Sequence, residues 1–300
     1  MDSARPIEIE PWPNRLLIHR LSSLLLAPAR RAGIHPNTVT CMGFGFGLLA
    51  ASSYAMAGQS GSRWAFATLG LLLMLAWLVM DGLDGQLARA TGKSSDIGRL
   101  LDGVADYATF VVVNIALVAT HPRPLAAFAL ALLSGVFHAL QSQFYEGERA
   151  TYIRRLSGKF QAIARAEAGG PYERFYNRCE ALLGNRTRPF DLKLQAAGPA
   201  ERELLLSRWQ PGAARALRAA SPLSSDGRAI VIWVAVLAGE TMLYWFYEIG
   251  VLTLVALAAA HKLRQSEAGA MAGDIGAGQT AGATGSLAGH AQKKGLTGHV

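Results

Sequence analysis

Asp81-Gly-Leu-Asp84-Gly85-Gln-Leu-Ala88-Arg89 and, a short way on, Gly98-Arg-Leu-Leu-Asp102-Gly-Val-Ala-Asp106 are the stretches on which the reading of this chain turns. They close one apolar run, Trp64–Met80 with its amphipathic extension to Ala90, and open the next, Leu100–Thr120. Carboxylates are costly at membrane depth, so four together call for cations or a water-filled site. Asp81 and Asp84 are three residues apart and Asp102 and Asp106 four, so on helices each pair shares one face. Gly85, Ala88 and Gly98 keep those faces small, leaving room for a ligand against the backbone. Two such helices side by side would offer oxygen ligands to hard divalent cations of the kind that bind phosphates. Two cations could clamp a pyrophosphate, and Arg89 adds a fixed positive charge nearby. The pattern predicts a metal-dependent membrane enzyme.

Taken together, Asp81-x2-Asp84-Gly85-x2-Ala88-Arg89-x8-Gly98-x3-Asp102-x3-Asp106 resembles the complete signature of the CDP-alcohol phosphotransferase (CDP-alcohol phosphatidyltransferase) family. Every signature position is filled and both gaps have the family length. The motif covers residues 81–106, and the surrounding membrane pattern extends the likeness to about residues 15–263. Two other readings compete. Asp-Gly steps often mark solvated turns, but here they continue an apolar run, and Pro is absent from residues 37–121. A cation channel or transporter would explain the acidic residues, but not Gly85, Ala88, Arg89 and Gly98 at their set spacings.

Composition fits a membrane protein: 51% of residues are hydrophobic and only 17% charged, and the mean hydropathy is +0.22. Apolar runs fall at Val39–Ala57, Trp64–Met80, Leu100–Thr120 and Leu125–Phe144. A longer region, Ala229–Ala260, has room for two short spans with a break expected near Glu248-Ile-Gly250. The expected fold is an all-α integral membrane bundle of about six transmembrane helices, the helix number following the family. Residues 13–34 set Leu16, Leu17, Leu21 and Leu24–Leu26 among arginines and read as an interfacial amphipathic helix. Residues 1–14 are polar and Pro-rich, with no apolar core of a signal peptide. Cys41 and Cys179 suggest neither a disulfide nor a zinc site.

The expected organisation is an N-terminal segment over 1–37, helices 1–4 over 38–145, a basic cytoplasmic loop over 146–227, helices 5–6 over 228–264, and a disordered Gly/Ala-rich tail over 265–300. Helical patches are expected in the loop at Gly158–Glu167, Tyr172–Leu183 and Glu201–Leu206, with breaks at Pro211-Gly212 and other Gly/Pro steps. The loop reads either as a solvated insertion or as a surface for anionic lipid. Lys and Arg gather at alternate junctions, placing both termini and the aspartates at the cytoplasmic face of the cell membrane. Since these basic residues flank spans, they give no reason to expect nucleic-acid binding.

The resemblance implies more. Two Mg²⁺ or Mn²⁺ ions would be held by Asp81, Asp84, Asp102 and Asp106, with Asp106 at the edge of the site as general base. Gly85, Ala88, Arg89 and Gly98 would surround a CDP-linked donor. His35-Pro36-Asn37-Thr38-Val39-Thr40 offers Asn37 or Thr38 as a helix cap; the family's similar Pro-Asn-x-x-Thr stretch makes Asn37 and Thr40 nucleotide contacts. Gly43, Gly45 and Gly47 read as helix packing. His138, Tyr145 and Arg149 are candidates for the acceptor. CDP-diacylglycerol with a small polar alcohol is the first expectation and CDP-choline or CDP-ethanolamine with a lipid alcohol the alternative. Membrane lipids complete the partners, with a homodimer left open.

Overall fold

The computed structural model describes residues 6–10, 14–59, 61–161 and 187–291, and side-chain surroundings for these except at 7, 15, 16, 96 and 273–291. The described elements are helical throughout. Besides short turns of helix at Ile7–Ile9, Asn14–Ile18 and Ser221–Leu223, they are α1 (His19–Arg31), α2 (Pro36–Gln59), α3 (Arg63–Thr91), α4 (Asp96–Ala119), α5 (Pro124–Leu156), α6 (Pro189–Ala196), α7 (Pro199–Ala219), α8 (Ser225–Ala238), α9 (Met242–Phe246) and α10 (Leu252–Ala291). A π turn, Tyr247–Val251, joins α9 to α10. Five helical stretches are long and apolar enough to cross a membrane: Pro36–Gln59, Arg63–Thr91, Ile97–Ala119, Pro124–Leu156 and Met242–Ala272. The chain is a multi-pass, all-α membrane protein.

The final pair differs from expectation in where it breaks. The chain turns at Gly239, in the left-handed conformation at φ +74°, and not at Glu248-Ile-Gly250, where the helix relaxes into the π turn and carries on. Consequently α8 has 14 residues, about 21 Å of helix against a hydrocarbon layer of about 30 Å. Other boundaries move as well. The fourth apolar run ends at Phe144, but α5 continues to Leu156 and stops at Gly158, at φ +72°. Pro211 and Gly212, expected to break the loop, lie inside α7. A Cβ on Gly212 would stand 2.9 Å from that of Ser266, so glycine lets α7 approach α10. The backbone of α10 runs on as helix to Ala291, within the stretch expected as a Gly/Ala-rich tail. The expected patch at Tyr172–Leu183 lies outside the described residues, as do most of Gly158–Glu167, Cys179 and residues 292–300.

The chain divides into two compact units. The first comprises residues 1–147 and 218–257. Its core runs through Tyr54, Met74, Trp77, Phe110, Val113, Ile232 and Trp245. Leu48, Leu72, Ile115, Leu132 and Leu254 stay exposed on its outside, the apolar exterior a lipid-facing bundle needs. Within it, α2 packs on both α3 and α4. Small residues make that possible: a Cβ on Gly43 would lie 3.1 Å from Met80 Cβ, one on Gly47 2.7 Å from the Thr109 methyl, and one on Gly70 would fall on the Tyr54 ring. Gly45 has open space beside it, so only Gly43 and Gly47 of the expected packing stripe serve close approach.

α1 docks on α3 through its small face. Ser22, fully buried, has its hydroxyl 2.8 Å from the Ile18 and Val79 carbonyls, and Ile18 and Ala29 are buried on the same side. Leu17, Leu21, Leu24 and Leu25 point away and remain exposed. This is the arrangement of a helix that keeps its leucines for the lipid interface. Deeper in the first unit, the π turn carries Glu248, fully buried, to Arg228 Nε at 2.9 Å and His138 Nδ1 at 3.4 Å. Gln141 accepts from Arg228 Nη2 at 3.1 Å and donates to the Glu248 carbonyl at 2.9 Å. Arg228 Nη1 donates to the Leu223 carbonyl.

The second unit comprises residues 148–217 and 258–300. Here the arginines expected on a basic loop turn inward. The Arg155 guanidinium lies between Phe190 and Trp209, 5.0 and 4.9 Å from their centroids. Its Nε and Nη2 donate to the two oxygens of Asp191 at 2.8 and 3.1 Å, and its Nη1 donates to Glu267 at 2.7 Å. Arg154 reaches Asp191 at 3.3 Å, and the Arg188 N–H donates to it at 2.8 Å. A charged group can be buried this way only because each partner is neutralised and hydrogen-bonded. Burial alone would raise the Asp191 carboxyl, but Arg155, the Arg188 N–H and Arg154 outweigh it and hold it below the usual carboxylate range.

Two outcomes follow for stability. Gly70→Leu is expected to lose about 1–3 kcal/mol or more by overpacking against Tyr54, while Gly45→Ala, with open space beside it inside a helix, is expected to gain about 0.5–1 kcal/mol; thermal melts in detergent separate them. Asp191→Asn removes the carboxylate that Arg154 and Arg155 share, leaving Arg155 with Glu267 alone, and is expected to cost about 3–5 kcal/mol. Because Asp191 titrates lower in the folded chain than in the unfolded one, its contribution is complete above about pH 4 and declines as pH falls below that. Wild-type melting should therefore drop on acidification through that range more steeply than that of Asp191→Asn.

Candidate metal centre

The site is built where α3 ends and α4 begins. Gly92, at φ +65°, closes α3 with its N–H on the Ala88 and Arg89 carbonyls. Three residues later Ser95 starts α4, its hydroxyl accepting from the Gly98 N–H at 3.0 Å. Asp84 and Asp102 each lie roughly 10 Å along the helix from this turn, and Asp81 and Asp106 each roughly 15 Å, from the helical rise. The hairpin therefore sets the two pairs of carboxylates at matching depths. Trp77 and Phe110 meet edge to face deeper in, 5.4 Å between centroids. Thr40, Gly43, Trp77, Asp81, Asp84, Asp102, Ala105 and Asp106 line the recess between α2, α3 and α4.

Asp81, Asp102 and Asp106 each present an oxygen within 4.8 Å of the others. Like charges at that separation repel by about 3 kcal/mol per pair at an effective dielectric constant of 20. An all-oxygen, all-anionic donor set of this kind fits a hard divalent cation, so the residues present suit the group the sequence predicts. Asp84 stands apart from this trio. It is buried, accepts from Thr40 Oγ1 at 2.6 Å, and takes the backbone N–H of Gly85. It still lines the same recess.

The remaining sequence candidates divide. Arg89 folds back along α3, its guanidinium 3.4 Å from where a Gly85 Cβ would be, so glycine there makes room for the arginine. Ala88 is half-buried on the same helix. Asn37 Oδ1 lies 3.5 Å from the Cβ position of Gly98, bringing the start of α2 to the start of α4. The cap of α2 is neither Asn37 nor Thr38. The helix starts at Pro36, whose missing N–H suits a first turn, and His35 Nδ1 accepts from the Asn37 N–H at 3.3 Å. His138 sits against Tyr107 and Phe110, with ring centroids 5.9 and 4.6 Å away, and its Nδ1 is engaged by Glu248. Tyr145 is buried on α5, and Arg149 belongs to the second unit.

Three features escaped the sequence reading. Glu146 adds its charge to those of Asp81, Asp102 and Asp84 in the field at Asp106. It follows an apolar run, and only the structure brings it near α4. The Thr40–Asp84 bond joins residues 44 apart, with no local spacing to signal it. Arg228 and Glu248 are 20 apart in a region whose apolar pattern masks their pairing.

Comparison with known proteins points the same way as the geometry. Residues 33–166 match the family model described as CDP-alcohol phosphatidyltransferase. An archaetidylinositol phosphate synthase from Pyrococcus horikoshii is 38% identical over 74 residues, which cover 25% of this chain and 35% of that protein. A bifunctional IPC transferase and DIPP synthase from Thermococcus kodakarensis is 28% identical over 156 residues, covering 49% and 33% of the two chains. The chain spans about a third of the length of the curated relatives it matches. Both aspartate pairs and the recess between them fall inside residues 33–166, and that stretch belongs to the CDP-alcohol phosphatidyltransferase family.

Proposed function

We propose that the protein is a membrane phospholipid-synthesis transferase that moves a phosphatidyl or substituted phospho group from a CDP-linked donor to an alcohol, releasing CMP. The observation that carries this reading is the convergence of Asp81, Asp102 and Asp106 within the family-matched stretch. CDP-diacylglycerol is the donor the reading favours. The names of the two relatives contain an inositol phosphate product and DIPP, which makes inositol phosphate an acceptor to test first. With α8 taken as a sixth, short span, the active site and both termini face the cytoplasm, following the arginine-rich junctions.

In this reading Asp81, Asp84, Asp102 and Asp106 hold two divalent cations, Mg²⁺ or Mn²⁺, whose charge would offset that of the donor pyrophosphate as it redistributes. Gly85, Ala88 and Gly98 leave the helix faces bare for the nucleotide. Arg89 pairs with phosphate oxygens, and Asn37 lies beside Gly98 for the cytidine end. Asp106 takes the proton from the acceptor hydroxyl as its oxygen bonds to the β-phosphorus. The bond from that phosphorus to the bridging oxygen breaks, and CMP leaves with the electron pair. His138 and Tyr145 stand on α5 as the acceptor side of the bundle, and Arg149 follows them in sequence.

Purified protein in mixed micelles with Mn²⁺ should release CMP from one donor class only when its acceptor is present. CDP-diacylglycerol and CDP-choline or CDP-ethanolamine are offered separately, and products are read by mass spectrometry. CMP from CDP-choline with diacylglycerol alone would move the protein to the other branch, and silence from folded protein with every donor would sink the transferase reading. Chelation of divalent ions should reduce CMP release at least a hundredfold and re-addition of Mg²⁺ or Mn²⁺ restore it. Asp106→Asn should lower kcat by 10²–10⁴-fold, the usual range for loss of a general base, with donor binding still measurable. Unchanged turnover would remove Asp106 from that role.

A further inference from the structure

We infer that Thr40 is a positioning residue for the metal centre: its hydroxyl donates to the Asp84 carboxylate and orients it, and is not a hydrogen-bond donor to the nucleotide. The inference rests on the metal reading of the four aspartates. A threonine hydroxyl has a single proton. Thr40 Oγ1 lies 2.6 Å from Asp84 Oδ2 and 3.3 Å from the Pro36 carbonyl, so the proton goes to the carboxylate. The distance is that of a hydroxyl donating to an ionised oxygen. Both side chains are enclosed, Thr40 at 8% and Asp84 at 5% exposure, and both line the recess. With its proton committed there, Thr40 has none to donate to a nucleotide.

The packing explains why this residue can do it. Gly43 follows Thr40 by one helical turn, and its missing Cβ lets α2 lie against Met80 and Trp77 of α3. That approach brings Thr40 within reach of Asp84. Among the described residues, Asp84 is the signature carboxylate outside the close trio. A hydrogen bond on one oxygen, with the Gly85 N–H on the carboxylate as well, fixes the plane of the group. It thereby fixes the directions from which its other lone pairs can meet a cation. Partners of this kind, behind a ligand, typically alter metal affinity 10–100-fold when removed.

The test is Mn²⁺ binding to the full chain in detergent, without donor, followed by electron paramagnetic resonance. Thr40→Val should weaken Mn²⁺ binding about 10-fold, and Thr40→Ser, which keeps the hydroxyl, should bind as the wild type does. In an Asp84→Asn background Thr40→Val should add no further loss. Donor KM at saturating Mn²⁺ is measured alongside. An unchanged Mn²⁺ affinity in Thr40→Val with a raised donor KM would make Thr40 a nucleotide contact and overturn the inference. So would a loss of Mn²⁺ affinity that persists in Asp84→Asn. Should Thr40→Val fail to fold, Thr40→Ala carries the same comparison. If the wild type itself binds no Mn²⁺, the metal reading fails and this assignment goes with it; if the wild type binds and the variants do not differ, only the role of Thr40 is lost.

Discussion

A Cβ on Gly43 would press on Met80 and one on Gly47 on Thr109, so α2 can lie close to α3 and α4 only because those two positions are bare. The rest of the first unit depends on this double approach. With α2 as the shared neighbour, the ends of α3 and α4 stand on either side of a recess and do not close over it. The carboxylates project into that recess, with Trp77 and Phe110 meeting edge to face deeper in. Without a hydrophobic force between helices in lipid, close backbone approach through small residues is what holds such a bundle together. The same glycines that give cohesion therefore also set the width of the site.

Charge is handled differently in the two units. In the first, acidic groups are gathered: Asp81, Asp102 and Asp106 face one another, and Thr40 and Gly85 satisfy Asp84. Such a cluster stores repulsion that a cation can relieve, which suits a site meant to bind one. In the second, Arg155 and Asp191 are matched in a fork and enclosed by Phe190 and Trp209. The Arg155 charge is already met there by Asp191 and Glu267. Glu248 and Arg228 follow the second pattern inside the first unit, so charge buried in a membrane bundle is not in itself a mark of chemistry.

The long spans were legible because twenty or so apolar residues in a row have few other uses, and the spacing of the four aspartates was legible because helical periodicity is local. Helices α2, α3 and α4 begin and end close to the predicted limits. The misreadings arise where tertiary contact overrides composition. Pro211-Gly212 reads as a break, but packing on Ser266 keeps α7 whole. Glu248-Ile-Gly250 reads as a turn, but the carboxylate is drawn into the bundle by Arg228 and the turn falls at Gly239. Arg154 and Arg155 read as a solvated basic loop, because Asp191 lies 36 residues beyond Arg155.

Thr40 shows how far a motif can carry a residue role. A Pro-Asn-x-x-Thr stretch at the head of a span places a hydroxyl near the aspartate helices, and sequence alone cannot say which oxygen it will serve. The decision is made by distance. Charge-assisted hydrogen bonds from hydroxyl to carboxylate are roughly twice as strong as neutral ones, and here the acceptor is 2.6 Å away inside a closed contact. A nucleotide would have to offer a better acceptor to draw that proton off, and would leave Asp84 buried with one partner fewer, at a cost of roughly 1–3 kcal/mol or more. The lower free energy lies with the arrangement already present, in which α2 holds the carboxylate and the carboxylate is set for the cation.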